Sequence, residues 1–398
     1  MGATLTTADK ALKEFYLPEM REQLNQKTKF LDLIESDSID VVGREVVLSV
    51  HVSRNTGVGG RASGADLPTA GNQGITDQRV QMFRNFGRIE VEGDLVLAMA
   101  SDAGSFGRAV DIETKGVVRD LRRDLNRQCW NDSTKTVAKC GVTSSDNEIV
   151  LASDTPDNIM RFFEVGMKVD IGTAADPDSL IAGEAITAIN KTTKTITVTT
   201  AITTSAVHFV GREGVERNEL TGLREIVAAS GTLHNIDPTV HPVWASTVDD
   251  NSGSNRSVTE VLLETVVDDT EQESGEDVKV AFSSKGVRRA IAALMQSQKR
   301  YGNSDDVNPG FRGITLDVGE TSVDLYTDRD CPNNRVFFLN TDYIKQHQMS
   351  DWDWMDDDGA VMSRVSNKFA YEATLYKLSE ITTSMRNAHG LLADITEA

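Results

Sequence analysis

Apolar residues near the N-terminus recur at the spacing of one helix face. Between residues 8 and 35 they are Ala11, Leu12, Phe15, Tyr16, Met20, Leu24, Phe30, Leu31 and Ile34. Residues three or four apart share one side of a helix, and a proline such as Pro18 interrupts it. The pattern predicts a helical arm. Its apolar face, with Phe15 and Tyr16, has no partner within the arm, so we expect it to pack on another chain or a distant domain.

Alternating residues follow the arm. Val46, Leu48, Val50 and Val52 alternate with polar residues inside the segment 40–53, which is the period of a strand. A glycine-rich stretch covers 54–76, and a second strand-like run extends from Val80 to Val91. Together they predict one long hairpin with a glycine-rich tip. Its apolar surface is too small for it to stand alone, so we expect it to lie on something else.

Residues 104–131 carry the strongest helical pattern. The apolar positions are Phe106, Val110, Val117, Val118, Leu121, Leu125 and Cys129. The charged positions, expected on the opposite, solvent-facing side, are Arg119, Asp120, Arg122, Arg123 and Asp124. This i, i+3/i+4 arrangement predicts a long amphipathic helix that serves as a spine.

The pattern changes over residues 140–212. Short β-rich runs occupy 148–151, 168–171, 186–189 and 195–200, and turn residues separate them. We interpret this segment as a small all-β insertion, either a barrel or a sandwich.

The remainder mixes helices and strands. The predicted helices cover about 257–268 and 285–300, and the predicted strands are 278–282, 314–316, 322–326, 336–339, 371–378 and 381–385. The sequence therefore predicts an α+β fold for the whole chain.

Composition narrows the class of protein. The chain has 398 residues, of which 39% are hydrophobic, enough for a sizeable core and two or three domains. Its 61 acidic and 41 basic residues give a formal charge of −20. A protein that grips nucleic acid needs a cationic face, and the chain as a whole does not offer one. No run of about 18 apolar residues exists and the N-terminus has no apolar signal core, so we expect no membrane partner.

The sequence offers no candidate for chemistry. Cys129, Cys140 and Cys331 form no C-x-x-C pair, and the sequence lacks a metalloprotease, hydrolase or P-loop motif. Gly57–Gly60 precedes a strand rather than a helix, so it predicts a hairpin tip rather than a phosphate cradle. The acidic run at 351–358 fails the EF-hand register at Met355 and is interpreted as a solvated loop. We therefore predict no catalytic residue, no cofactor and no metal site.

Charge along the hairpin is unusual. The interval between Lys29 and Lys115 contains no lysine, whereas the hairpin carries Arg44, Arg54, Arg61, Arg79, Arg84 and Arg88. Arginine pairs with carboxylates through a planar fork. One interpretation is a solvated edge hairpin. The other is docking of the hairpin onto an acidic surface of another copy of the chain. The arginines expected to make this contact are Arg54, Arg61, Arg84 and Arg88. The acidic surface is either the 257–277 helix region or the 351–358 run.

The order of these parts resembles the Hong Kong 97-type major capsid proteins of tailed phages. The segment from Val91 to Trp130 looks like the spine helix and its approach in that family, and NELTGLREIV looks like the entry to its axial domain. FAYEATLYKLSEITTSMRNAHGLLADI looks like its closing peripheral strands. The resemblance covers nearly the whole chain.

The resemblance implies a division into six parts. They are an N-terminal arm at 1–39, an extended hairpin loop at 40–93, a peripheral domain with the spine helix at 94–139, a β-rich insertion at 140–212, an axial domain at about 213–345, and a return to the peripheral domain at 346–398.

The resemblance also implies partners. Copies of the chain would form hexamers and pentamers in an icosahedral virion shell around double-stranded DNA, without sequence-specific binding and after assembly in the host bacterial cytoplasm. The chain enters its arm almost at once, so a separate scaffolding protein is expected. The resemblance also implies a portal, and it leaves open whether decoration proteins cover the shell. A lysine–asparagine crosslink from the hairpin is excluded because the hairpin has no lysine.

Two alternatives stay open at the level of sequence. An encapsulin nanocompartment shares the fold but encloses cargo enzymes, and the nucleic-acid content of expressed shells separates the two. A soluble enzyme with a β-rich accessory domain belongs to another class and would elute as a small oligomer in size-exclusion chromatography.

Overall fold

The computed structural model describes most of the chain. The described residues are 29–37, 45–94, 103–156, 159–173, 175–215, 218–298, 314–318, 321–356 and 361–398. Most of the predicted arm, including Phe15 and Tyr16, lies outside them.

Five α-helices lie within the described ranges. They are α1 (Lys29–Leu33), α2 (Ala103–Gln128), α3 (Leu223–Ile226), α4 (Glu260–Ser274) and α5 (Lys285–Gln298). The long helix expected over 104–131 is confirmed as α2. The amide of Cys129 makes the last helical bond, to the carbonyl of Leu125. The helix ends at Gln128 because the following amides, those of Trp130 and Asn131, bond to carbonyls only three residues earlier.

The strands of the N-terminal half are β1 (Glu35–Asp37), β2 (Glu45–Ser53), β3 (Gly74–Gln81), β4 (Phe83–Glu92), β5 (Ala138–Lys139), β6 (Thr143–Val150), β7 (Lys168–Thr173), β8 (Ile181–Ala185), β9 (Ala188–Asn190), β10 (Thr195–Thr204) and β11 (His208–Arg212). Those of the C-terminal half are β12 (Thr247–Asp249), β13 (Val280–Ser283), β14 (Ile314–Val318), β15 (Thr321–Thr327), β16 (Val336–Leu339), β17 (Ile344–Trp354), β18 (Ser363–Arg364), β19 (Ala370–Thr383) and β20 (Gly390–Leu392).

The predicted second arm of the hairpin is two strands rather than one. β3 pairs with β2 in a two-stranded ribbon, whereas β4 leaves the ribbon and pairs with β19 over its whole length. The sequence run from Val80 to Val91 reads as continuous because both strands alternate, but each has a different partner. The extended hairpin therefore consists of β2, β3 and the segment between them.

A five-stranded sheet joins β1, β17, β19, β18 and β4. Helix α2 packs on one face of it, closest at Gly87 in β4. A Cβ at Gly87 would lie 2.5 Å from Leu121 Cδ1 and 2.7 Å from Val117 Cγ1. The missing side chain therefore permits the close contact between the helix and the sheet.

Two expectations for this sheet are wrong. The predicted strands at 371–378 and 381–385 are one strand, β19, since Ser379 and Glu380 are buried and pair with β17 instead of forming a break. The acidic run is not a loop at its start: Asp351 and Asp353 belong to β17, where Trp352 and Trp354 alternate with them and enter the core. The strand period is present there, and the tryptophans decide which face is buried.

The β-rich segment forms a sandwich. One sheet has the order β6–β10–β9 and the other β5–β11–β7–β8. Between them lies a hydrophobic cluster whose buried members all fall within residues 137–210. The boundaries 140–212 remain a prediction, as do the other five.

A six-stranded mixed sheet has the order β12–β20–β16–β13–β15–β14. Its central strands are buried on both faces. In β16, Val336 and Phe338 face the cluster formed with α4 and α5, while Phe337 and Leu339 face a second cluster. β20 belongs to this sheet, so the C-terminal segment contributes strands to both large sheets.

That second cluster is the central core of the molecule. It contains Phe30 from α1, Val50 and Val52 from β2, Trp130 from the end of α2, and Ile381 from β19. The Trp130 ring lies 5.5–5.7 Å from the rings of Phe337, Phe282 and Phe30, within the usual range for aromatic pairs. One core therefore joins the hairpin base, the long helix and both large sheets.

Candidate functional site

The base of the hairpin is fixed to the body of its own chain. Val50 and Val52 enter the central core, the amide of Arg79 donates to the carbonyl of His234 (3.1 Å), and Gln78 Nε2 donates to the carbonyl of Thr383 (3.2 Å). Gln78 is buried although it is polar, and its contact ties β3 to the end of β19. The direction in which the hairpin leaves the body is therefore set by the fold.

A narrow neck separates this base from the tip. Asn55 Nδ2 donates to the carbonyl of Gly71 (2.8 Å), and Asn55 Oδ1 accepts from the amide of Gly57 (2.7 Å). A Cβ at Gly71 would lie 2.7 Å from both Asn55 Oδ1 and Thr56 Oγ1, and one at Gly57 would lie 2.8 Å from the carbonyl oxygen of Thr69. Only glycine allows the two chain segments to approach so closely.

The tip itself is exposed. No residue from 54 to 73 is buried, and Val58 and Leu67 are 84% and 86% exposed. Exposed large apolar side chains on a protruding segment are typical of a surface that meets a partner.

The four arginines predicted as contacts fall into two groups, those of the tip and those of β4. Arg54 and Arg61 are exposed on the tip, and among the described residues neither has an ion-pair partner. Arg88 pairs with Glu372 of its own sheet. Arg84 is exposed at the wall of a cavity of about 540 Å³ that Asp124, Arg212 and Glu219 also line. Arg54 and Arg61 are thus the pair placed to contact something outside the chain.

The two acidic candidates differ in their environment. Asp268 and Asp269 are exposed on α4. In β17, by contrast, Asp351 already lies 3.5 Å from Lys377 Nζ, and Asp357 and Asp358 fall outside the described residues. The helix therefore presents the more available carboxylates.

A buried cluster of charged side chains lies at the end of α2, and the sequence analysis did not predict it. Asp124, predicted on the solvent face, is buried and accepts from Arg127 Nε (3.1 Å) and Arg212 Nη2 (2.9 Å). Arg127 also donates to both carboxylate oxygens of Glu219 (2.6 and 2.9 Å). Burial lowers the pKa of Arg127, but Asp124 and Glu219 outweigh burial and hold that pKa above its usual range. The sequence signal was the i, i+3 pair of Asp124 and Arg127.

No candidate metal site is found in the described ranges. No group of three or more histidine, cysteine or acidic side chains is placed there to hold a metal ion. Burial raises the pKa of the three cysteines, that of Cys140 to about 12, so their thiols stay protonated and unreactive. None of the helices in the described part is long and apolar enough to cross a membrane.

Comparison with known families decides the assignment. The model of the SU10 major capsid protein family matches residues 181–396, which is more than half of the chain. The chain belongs to the SU10 major capsid protein family. No curated protein sequence matches that of this capsid protein.

Solved structures support the fold of the capsid protein. The "Cyanophage A-1(L) capsid asymmetric unit" superposes with a TM-score of 0.60 at 12% identity, covering 93% of each chain. The capsid of the native GTA particle superposes with a TM-score of 0.50 at 9% identity, covering 93% of this chain and 91% of the other. The capsid protein therefore has the α+β Hong Kong 97-type fold that the order of its elements predicts.

Proposed function

We propose that this chain is the shell subunit of a tailed-phage head, in which many copies assemble as hexamers and pentamers into an icosahedral container for double-stranded DNA. Membership of a major capsid protein family supports the proposal and favours it over a nanocompartment or an enzyme. The observation that carries it is the hairpin: a base anchored in the core and a tip that exposes Val58, Leu67, Arg54 and Arg61.

The tip is the proposed inter-subunit contact. Its apolar side chains lose water when they meet a neighbouring copy, and its arginines gain carboxylate partners there. We place those carboxylates on α4 of the neighbour, where Asp268 and Asp269 are exposed. We assign the apolar face of the arm, with Phe15 and Tyr16, to a further contact between copies.

The proposed relation to DNA is enclosure without recognition. A formal charge of −20 repels a polyanion over most of the surface. Such a lining contains packaged DNA without holding it at specific sequences. The proposal includes no catalytic step and no cofactor.

The remaining partners belong to the same proposal. A separate scaffolding protein directs assembly in the host cytoplasm, a portal occupies one vertex, and a decoration protein can cover the outer surface. The six-part division at 1–39, 40–93, 94–139, 140–212, 213–345 and 346–398 is proposed as the domain plan of the subunit.

The test shortens the tip. The neck brings Gly57 and Gly71 together, so residues 58–70 can be replaced by a two-residue Gly-Ser linker without displacing β2 or β3. We expect this variant to remain soluble, with the circular dichroism of the parent, and to form no closed shells in electron micrographs of the expressed protein. The parent is expected to give shells that contain DNA when recovered from infected cells.

Matched substitutions separate loss of the contact from loss of exposed apolar area. Val58→Ser with Leu67→Ser should impair assembly, whereas Val165→Ser with Val240→Ser, which removes two other exposed valines, should not. Normal shells from the shortened tip would overturn the assignment of the hairpin as a contact. A small oligomer from the parent chain in size-exclusion chromatography, with scaffold present, would overturn the shell function itself.

A further inference from the structure

The β sandwich does not share an apolar core with the rest of the molecule. The buried apolar residues between its sheets all come from 137–210, and the three other hydrophobic clusters contain no residue from that range. The hairpin base, by contrast, is built into the central core through Val50 and Val52. No hydrophobic cluster among the described residues therefore joins the sandwich to the body.

Ion pairs make the connection. Arg212, at the end of β11, donates to Asp124 of α2 (2.9 Å), and Arg161 Nη2 lies 2.9 Å from both carboxylate oxygens of Asp330 in the loop before β16. Each pair has one member in the sandwich and one in the body.

Asp154 of the sandwich makes a third connection, in which the sandwich supplies the carboxylate and the body supplies the arginines. The Asp154 carboxylate lies 2.5 Å from Arg224 Nη2 and 3.2 Å from Arg335 Nη2. The backbone crosses at the same place, since the amide of Asn333 donates to the carbonyl of Asp154 (3.1 Å).

The pairs of Asp330 and Asp154 are largely shielded from solvent, whereas Arg212 is 37% exposed. The Asp330 side chain is 2% exposed, and those of Asp154 and Arg224 are 21% and 16% exposed. Burial alone would raise the pKa of Asp154, but Arg224 and then Arg335 bring that pKa below its usual range, so the carboxylate is charged. The Phe162 ring of the sandwich lies 4.5 Å from the guanidinium of Arg161 and 5.7 Å from that of Arg127, so it also contacts a cation of α2.

We propose that these pairs form an ionic joint that fixes the orientation of the sandwich, and that breaking them frees residues 137–212 to move as one rigid unit while the hydrophobic clusters on both sides of the joint stay folded. Removing one partner of a shielded pair leaves the other charge uncompensated, which favours an open arrangement in which water solvates it. That opening disrupts none of the four hydrophobic clusters, because no cluster spans the joint. The inference does not depend on the proposed function.

Hydrogen exchange in the full-length chain tests both halves of the proposal. The variant Asp154→Asn with Asp330→Asn removes the carboxylates that face Arg224, Arg335 and Arg161. We expect exchange in the peptide containing Asn333 to be at least about tenfold faster, because its amide crosses the joint. Exchange in β7 and β10, inside the sandwich, should change less than about twofold.

A distance measurement provides the second readout. Val165 of the sandwich and Val261 of α4 are both exposed, and cysteines placed there can carry spin labels because the native thiols are buried. Labelled chains are diluted with unlabelled ones so that only distances within one chain are recorded. The parent should give one narrow distribution. The double variant should broaden it, and the milder Arg212→Gln, at the most exposed pair, should broaden it less.

The control variant is Lys279→Gln, which removes an exposed ion pair with Asp342 inside the body and should change neither readout. An unchanged Asn333 peptide and a narrow distance distribution in both joint variants would refute the ionic joint. Loss of protection in β7 and β10 would refute the rigid unit. If Asp154→Asn with Asp330→Asn does not fold, Arg212→Gln decides the outcome by the same two criteria.

Discussion

Arg386 Nε donates to the carbonyl of Ile226 at 2.9 Å, and the same guanidinium reaches three further carbonyls, those of Glu225, Ser230 and Gly231, at 2.9–3.2 Å. The side chain is 1% exposed and lies in a cradle of backbone oxygens. Burial lowers its pKa to about 10. It joins the two segments that most resemble the family, the one entering α3 and the one closing the chain.

We expect Arg386→Met to destabilise the subunit on the order of 3 kcal/mol, since four carbonyls lose their donor inside the protein. Arg386→Lys should recover only part of the loss, because an ammonium lacks the planar fork. Urea unfolding of unassembled subunits measures both. Arg119→Met, which removes an arginine from the exposed side of α2, serves as the control and should cost no more than about 0.5 kcal/mol. Equal losses in the two methionine variants would contradict the role of Arg386.

Glu380 predicts a pH dependence. Burial raises its pKa from 4.5 to about 7, with Lys135 and two backbone amides opposing the rise. The native chain keeps this proton between pH 4.5 and 7 while the unfolded chain releases it, so stability falls as pH rises through that interval. Glu380→Gln removes the dependence. Its stability relative to the parent should increase by about 3 kcal/mol between pH 4.5 and pH 8, measured by urea unfolding at both values. A difference that does not vary with pH would contradict the assignment.

Substitution by alanine is expected to have opposite effects on stability at Gly87 in β4 and at Gly116 in α2. Gly87→Ala places a methyl group against Leu121 and Val117, so it should destabilise the contact between α2 and β4 by about 1–3 kcal/mol. Gly116→Ala, within α2, meets nothing within 4 Å and should stabilise the chain by roughly 0.5–1 kcal/mol through the helix propensity of alanine. Thermal unfolding of the two variants beside the parent measures the difference. Equal shifts in the same direction would show that the helix does not press on Gly87.

Arg54 and Arg61 predict a salt dependence of shell stability. Changing both to Gln should weaken shells more at low salt than at high salt, because dissolved ions already screen the exposed pairs at high salt. Denaturant titration of purified shells at two ionic strengths measures this. Arg88→Gln is a matched control because Arg88 already pairs with Glu372 in its own chain. A loss of the same size at both ionic strengths would count against arginine docking.

The lysine-free hairpin predicts a shell without covalent links from that segment. Denaturing gels of mature shells should show a monomer band near 43.4 kDa and no ladder of linked oligomers. An isopeptide bond needs an amine donor, and the interval between Lys29 and Lys115 contains none. A ladder whose crosslinked peptide maps to residues 45–92 would overturn this expectation.

The periodicity and the order of the helices and strands could be predicted from the sequence, whereas the partners of individual strands and charged side chains could not. The spine helix and the alternation of β2 follow from residues three, four or two apart, and the structure has them. The separation of β3 from β4 at Met82 depends on β19, almost 290 residues away in the chain, which no local pattern reports. Asp124 is expected on the solvent side because its neighbours in the helix are charged. Its burial is explained by the side chains of Arg127, Gln128 and Arg212, which donate hydrogen bonds to its carboxylate.

Polar residues in strands caused the other errors. Ser379 and Glu380 resemble a break between strands, and Asp351 with Asp353 resembles a loop, because a carboxylate in a strand is rare without a partner. Lys377 supplies that partner for Asp351, and the amides of Thr221 and Ile381 supply it for Glu380. The arginine contacts of the tip involve a second chain, so the sequence and a single subunit identify the residues but do not pair them.

The glycine neck of the hairpin has a consequence for curvature. In the proposed shell, a subunit that serves in both hexamers and pentamers meets its neighbours at more than one angle, and a wholly rigid hairpin would fit only one of them. Asn55, Gly57 and Gly71 set where the tip begins. Beyond them lie Gly59, Gly60 and Gly64, where an added Cβ would meet nothing within 4 Å and glycine gives the backbone its widest conformational freedom. One gene product can therefore tile flat facets and sharp vertices, with the adjustment confined to about a dozen residues beyond the neck.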